Sequence, residues 1–172
     1  MRGNAEYVNI ISGQALQVNG KSVFSDPLPV GEGWYRANLR IGLVFTVGTG
    51  TTPITDGELH FIKNILMKTD RGEIICNLPG KALYNIAKFK AGIVTPRKDN
   101  IAAANGTYYV NLPIYFAEHY LRMDRPEDTI LDTKRYSSMT IEIQLGTVAD
   151  LLTTVGTSSV TTTLDVEVVR TK

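Results

Sequence analysis

WYRANLRIGLVFTV, residues Trp34 to Val47, carries the plainest periodicity in the chain. Leu39, Ile41, Leu43, Phe45 and Val47 fall at every second position, with Arg36, Arg40, Gly42 and Thr46 between or before them. Successive side chains of a strand point to opposite faces, so this spacing marks a strand with one face on a core.

The same pattern returns further along. Tyr108, Val110, Leu112, Ile114 and Phe116 alternate with Tyr109, Asn111, Pro113 and Tyr115. Proline has no amide to donate, so this strand is expected at a sheet edge or with a bulge at Pro113. Met139, Ile141, Ile143 and Leu145 alternate with Thr140, Glu142 and Gln144, and Leu164, Val166 and Val168 oppose Asp165 and Glu167. Leu59 to Thr69 is a mostly apolar run that fits a strand buried on both faces, with a helix as the weaker alternative. Asp70-Arg71-Gly72 turns it back into Glu73 to Asn77, a hairpin. The 19 threonines and 8 tyrosines favour strands, and the 15 glycines and 7 prolines punctuate them at short intervals. Seven or eight strands without βαβ alternation make an all-β sandwich, jelly roll or barrel.

Asn77 to Gly92 is the one helix expected. Asn77 is placed to cap it, Pro79 suits the first turn and Gly92 the end. Leu83, Ile86 and Phe89 recur every three residues and are expected to face inward. Residues 1–33 read as an N-terminal arm or irregular lead-in with room for one or two short strands, because Asn19-Gly20, Pro27, Pro29 and Gly31-Glu32-Gly33 make them rich in turn signals. Residues 34–172 then form a single domain. A chain of 172 residues is one domain by size, and it hides roughly 70% of the surface its unfolded form exposes.

Chemistry finds little support. Eighteen basic against 17 acidic residues give a net charge of +1, which makes no case for specific nucleic-acid binding. The two histidines, His60 and His119, have no histidine neighbour, so a cupin-type metal cluster does not form. Cys76, the single cysteine, sits among apolar residues and reads as a small hydrophobe. There is no Gly-x-Ser-x-Gly elbow, and Gly80-Lys81 is followed by Ala82 rather than Ser or Thr. Neither an enzyme nor a cofactor is expected. No apolar run reaches the 18 or more residues of a membrane span. The first residues lack the apolar core of a signal peptide, so synthesis in the cytoplasm is expected.

Two charge features remain. Lys81, Lys88, Lys90, Arg97 and Lys98 stand in a segment, Ile74 to Lys98, that has no acidic residue. A solvated helix face explains them, and so does a patch facing anionic lipid headgroups or nucleic acid. Residues 118–136 form a long charged connection in which Arg122, Asp124, Arg125 and Asp128 interleave both signs, as in a subunit contact. Trp34 and Tyr7 join that list because aromatic residues are favoured at contacts. Trp34, with the tyrosines, is also the aromatic a sugar-binding face would use.

Gly57-Glu-Leu-His-Phe-Ile-Lys-Asn-Ile-Leu-Met-Lys-Thr-Asp-Arg-Gly72, and Pro126-Glu-Asp-Thr-Ile-Leu-Asp-Thr133 followed by the Met139 to Leu145 strand and Gly146-Thr-Val-Ala-Asp150, resemble the two halves of viral capsid jelly rolls. In size and element order the chain is similar to the small major capsid proteins of tailless, membrane-containing icosahedral phages of Thermus and their relatives, over roughly residues 34–170. The resemblance implies a single jelly roll of about eight antiparallel strands with one short inserted helix. It implies a virion protein assembled in the host cytoplasm, which pairs with copies of itself and with a second, larger major capsid protein over an internal membrane. It carries over no catalytic residue. The alternative is a carbohydrate- or receptor-binding sandwich module of a virion spike. The arm at 1–33 is expected to order on a neighbouring subunit, so that removing residues 1–20 spares the fold.

Overall fold

The strand announced by Leu39 to Phe45 lies at the centre of the molecule. The computed structural model describes residues 5–24, 28, 30–91, 105–116 and 130–171, the side chains of Lys90 and Ala91 excepted. In chain order its elements are β1 (Ala5–Leu16), β2 (Lys21–Phe24), β3 (Gly33–Thr46), α1 (Gly57–Phe61), β4 (Ile62–Thr69), β5 (Ile74–Leu78), α2 (Gly80–Ala91), β6 (Gly106–Tyr115), β7 (Leu131–Asp132), β8 (Met139–Leu145) and β9 (Ser159–Thr171). Two antiparallel sheets face each other. The first runs β1-β9-β3-β6, with the short β7 beside the start of β3, and the second runs β2-β8-β4-β5. Apart from the β4–β5 hairpin, paired neighbours come from distant parts of the sequence and the chain crosses repeatedly between the sheets, which is the winding of a jelly roll. The chain is all-β, a single jelly roll, and α2 is the longest helix among the described residues.

Alternation explains the core. Leu39, Ile41, Leu43 and Phe45 of β3 are at most 1% exposed, as are Ile65 and Met67 of β4 and Ile141 and Ile143 of β8. They meet between the sheets with Leu112, Leu164 and Val166. Among the described residues β6 pairs only with β3, an edge that suits Pro113, which lies opposite Asn38. The β4–β5 hairpin turns at Asp70 to Glu73, where Gly72 takes a φ of 79° that favours glycine. The apolar run before it divides into one turn of helix, α1, and then β4.

The structure departs from the sequence in three places. First, residues 5–24 are not an irregular lead-in. Ala5–Leu16 is a 12-residue strand paired along β9, and Lys21–Phe24 pairs with β8. Two bulges, between Asn9 and Ile11 and between Ile11 and Gln14, each add one residue to β1. They break the two-residue alternation by which a strand is recognised. Second, α2 begins at Gly80, after β5 has taken Asn77 and Leu78. Asn77 is therefore not a cap, and the Pro79 carbonyl accepts the Leu83 amide at 3.1 Å. Third, Leu83, Tyr84 and Ala87 face inward, whereas Phe89 is 85% exposed. At 3.6 residues per turn, a step of three drifts off the buried face within two steps.

Candidate functional site

The registers of β1, β9, β3 and β6 set rows of polar side chains across the outer face of the first sheet. One row is Asp165, Arg40 and Asn111, and the next is Asn9, Glu167, Asn38 and Pro113. Arg36 lies opposite Tyr115, and Gly42 lies opposite Tyr109. The two rows, with Arg36 and Tyr115, line a groove of about 590 Å³, and Gly42 and Tyr109 lie beyond its end. Two features shape it. The Gly13 amide, freed at the second bulge of β1, donates to Asp165 Oδ1 at 2.7 Å. The Asn38 amide donates to Glu167 Oε1 at 2.9 Å. One oxygen of each carboxylate is thus held within the sheet. The Arg40 guanidinium stacks 3.7 Å from the centroid of the Tyr109 ring. A Cβ at Gly42 would come within 3.3 Å of that ring and 2.7 Å of Thr163 Oγ1, so the glycine leaves the ring its place.

The residues singled out from the sequence fall elsewhere. Tyr7 is 63% exposed on β1, at the edge of the first sheet. Trp34 is a correction: it is 1% exposed, lies 6.4 Å from the Phe116 ring and belongs to the core. A bulge in β3 between Trp34 and Arg36 is the cause. Counted back from Leu39 the alternation points Trp34 outward, and the extra residue turns it inward. Neither a subunit contact nor a stacked sugar reaches it. Arg122, Asp124, Arg125 and Asp128 lie outside the described residues, as do Arg97 and Lys98 and the side chain of Lys90. Of the basic segment, Lys88 is exposed. Lys81 has its Nζ 3.8 Å from the Asp56 carboxylate and 3.3 Å from His60 Nε2, so its charge is partly answered within the fold.

Cys76 is buried in β5, and burial pushes its thiol up to about 11, which keeps it protonated at neutral pH. Among the described residues no three His, Cys, Asp or Glu side chains converge as metal ligands. No helix among them is long and apolar enough to cross a membrane. The polar groove was not found from the sequence. Its residues come from four strands, and only their register brings them together.

No protein-family model matches the chain, and no curated protein matches it in sequence. Solved structures match it in fold. The major capsid protein of STIV, the Sulfolobus Turreted Icosahedral Virus, superposes with a TM-score of 0.67 at 8% identity, over 97% of this chain and 48% of that one. The major capsid protein P2 of bacteriophage PM2 gives 0.53 at 15% identity, over 98% of this chain and 51% of that one. VP54 of PBCV-1 gives 0.51 at 8% identity, over 96% and 43%. The chain spans about half the length of each protein it matches, and at these identities the likeness is one of fold.

Proposed function

We propose that this chain is a virion structural protein, a capsid subunit of the single jelly-roll kind. One observation carries the proposal: viral capsid proteins from three different viruses share its fold over at least 96% of its length. Fold alone does not name a function, but a catalytic reading has no constellation of groups in its favour among the described residues. The protein would assemble with copies of itself and with a second, larger capsid protein, over an internal membrane, as in the tailless phages its sequence resembles. No enzyme activity and no cofactor belong to this role.

Two features supply surfaces for it. Tyr7 stands exposed on β1, whose outer edge has no partner strand among the described residues, and such an edge is open to further pairing. Lys88 and the exposed Phe89 share the outer side of α2, a helix without an acidic residue, as a contact with anionic headgroups requires. The test is light scattering coupled to size exclusion, over a range of concentration and salt. Species that grow with concentration, and lose that growth on Tyr7→Ser, are expected. A strict monomer at every concentration, alone and with the virion proteins encoded beside it, would overturn the reading. Flotation with phosphatidylglycerol vesicles at low salt tests the membrane contact. Lys88→Glu should weaken binding, and unchanged binding removes the lipid partner from the proposal.

A further inference from the structure

Among the described residues four edge strands bound the two sheets, and three of them carry a device against pairing with another chain. β2 has four residues and an exposed Lys21, β5 has five residues with a bulge between its pairs to Met67 and Lys68, and β6 holds Pro113. β1 is different. From Ala5 to Asn9 it pairs with Thr171 to Glu167 without a break, and its bulges begin only beyond Asn9. No lysine, arginine or proline stands anywhere in its 12 residues. Its one charge, Glu6, is turned to the Arg170 guanidinium at 3.3 Å. Ala5–Asn9 is thus a regular edge whose alternate amides and carbonyls point away from β9.

The side chains of this stretch fit a second copy of itself. Tyr7, 63% exposed, is at its centre and, two residues from Asn9, stands on the outer face of the sheet. Val8 lies opposite the buried Val168 on the inner face, and Val8 and Ile10 are only half-buried at this rim of the core. A strand added here would cover both. An antiparallel pair turned about a two-fold axis at Tyr7 uses the whole regular stretch. It sets Tyr7 against Tyr7 of the second copy, Ala5 against Asn9, and Glu6 against Val8. Opposed aromatic rings favour such a pair, and no like charges meet. An axis at Glu6 would oppose two carboxylates, and one at Val8 would bring Ile10 into the ladder where the first bulge breaks it. We infer that two copies join edge to edge through Ala5–Asn9, paired antiparallel about Tyr7, so that the β1-β9-β3-β6 run of one copy continues into that of the other. A two-fold contact of this kind closes on itself, since each edge is covered by the other. Self-association belongs to the subunit role proposed above, and the pairing rests on that role while naming the strand through which copies meet.

Disulfide trapping in the full chain tests the pairing. Ala5→Cys and Asn9→Cys are made separately, both at exposed sites, and Tyr7 is left in place. In this register Ala5 of one copy and Asn9 of the other are directly opposed, with Cα atoms about 4.5–5.5 Å apart, a span that a disulfide closes. Like positions lie about 13 Å apart along the strands, too far for one. Under mild oxidation with diamide, the mixture of the two variants should cross-link at least about tenfold faster than either alone. Adding Tyr7→Ser to both should slow it. The native Cys76 is buried and should not contribute. Val23→Cys, exposed on β2, should cross-link with either variant no faster than chance collision allows. A mixture no faster than the single variants, while light scattering still shows association, overturns the pairing and leaves the subunit role standing. A chain monomeric at every concentration overturns it too, and the subunit role falls with it only if the other virion proteins also fail to bind. Equal cross-linking of Val23→Cys would mean random collision, and a fast cross-link by Ala5→Cys alone would mean another register. Either result overturns the pairing.

Discussion

Glu142 lies on the outer face of β8 with 6% of its side chain exposed, and it is bracketed by Lys21 of β2 and by Lys68 of β4, whose Nζ is 2.6 Å away. The two lysine hydrogen bonds hold its carboxyl below the ordinary value of 4.5, outweighing the opposing effect of burial. A carboxyl whose folded pKa lies below its unfolded one stabilises the fold above the unfolded value, and that contribution is lost as the pH falls through the folded one. Glu142→Gln is therefore expected to cost on the order of 1 kcal/mol near neutral pH, since the lysine heads remain partly in water. The gap between variant and parent should narrow as the pH falls below the ordinary value of 4.5 and through the lowered folded one. Urea unfolding at neutral and acid pH measures it, and an equal gap at both would show that the pair does not titrate with the fold. Thr133 does comparable work with neutral groups. Its hydroxyl oxygen accepts from the Gly31 and Glu32 amides at 3.0 and 3.1 Å and donates to the Glu32 carbonyl. A fully buried threonine thus ties the approach to β3 to the turn after β7.

Among the elements, α2 shows most plainly how a spacing rule is tested. It carries the chain from β5, at one edge of the second sheet, to the region before β6, at the edge of the first, and it packs on β6 and β4. Leu83 is 3% exposed on its inner side and Phe89 is 85% exposed on its outer side. Leu83→Ala should cost about 2–5 kcal/mol through lost burial and a residual cavity. Phe89→Ala should change stability by no more than about 0.5 kcal/mol. Thermal melts of the two variants decide the matter, and a comparable loss from both would place Phe89 against the body of the protein. The edge strands divide along similar lines. Pro113 announces an edge in the sequence because it lacks a donor, whereas β1 hides its own place because its bulges scramble the alternation.

Across the whole molecule, the first and last strands are partners. Ala5 pairs with Thr171 and Leu16 with Thr162, so β1 covers nearly the full length of β9. Residues 5–16 therefore belong to the fold, and removing residues 1–20 would bare the β9 edge and take Ile11 and Leu16 out of the core. The truncated chain is expected to lose its cooperative melt or to aggregate, in circular dichroism and light scattering respectively. A melt within a few degrees of the parent's would instead mean that β9 holds without β1. Pairing the two ends also makes folding wait on long-range contacts, which slows strand-rich chains.

What could be read without coordinates was local. Alternation at Leu39 to Phe45, at Met139 to Leu145 and at Leu164 to Val168 gave the strands, the turn residues gave their breaks, and the proline gave an edge. Those signals lie within a few residues of one another, so the chain states them directly. The placement of Trp34, the strand at Ala5–Leu16 and the groove could not be read in the same way. One extra residue in a bulge reverses which face every residue beyond it occupies, and nothing in the neighbouring letters announces it. Arg40, Asn111 and Asp165 become neighbours through hydrogen-bonded register between strands more than fifty residues apart. That register is settled by how the two inner faces pack, which is a property of the assembled sheets and of no single segment.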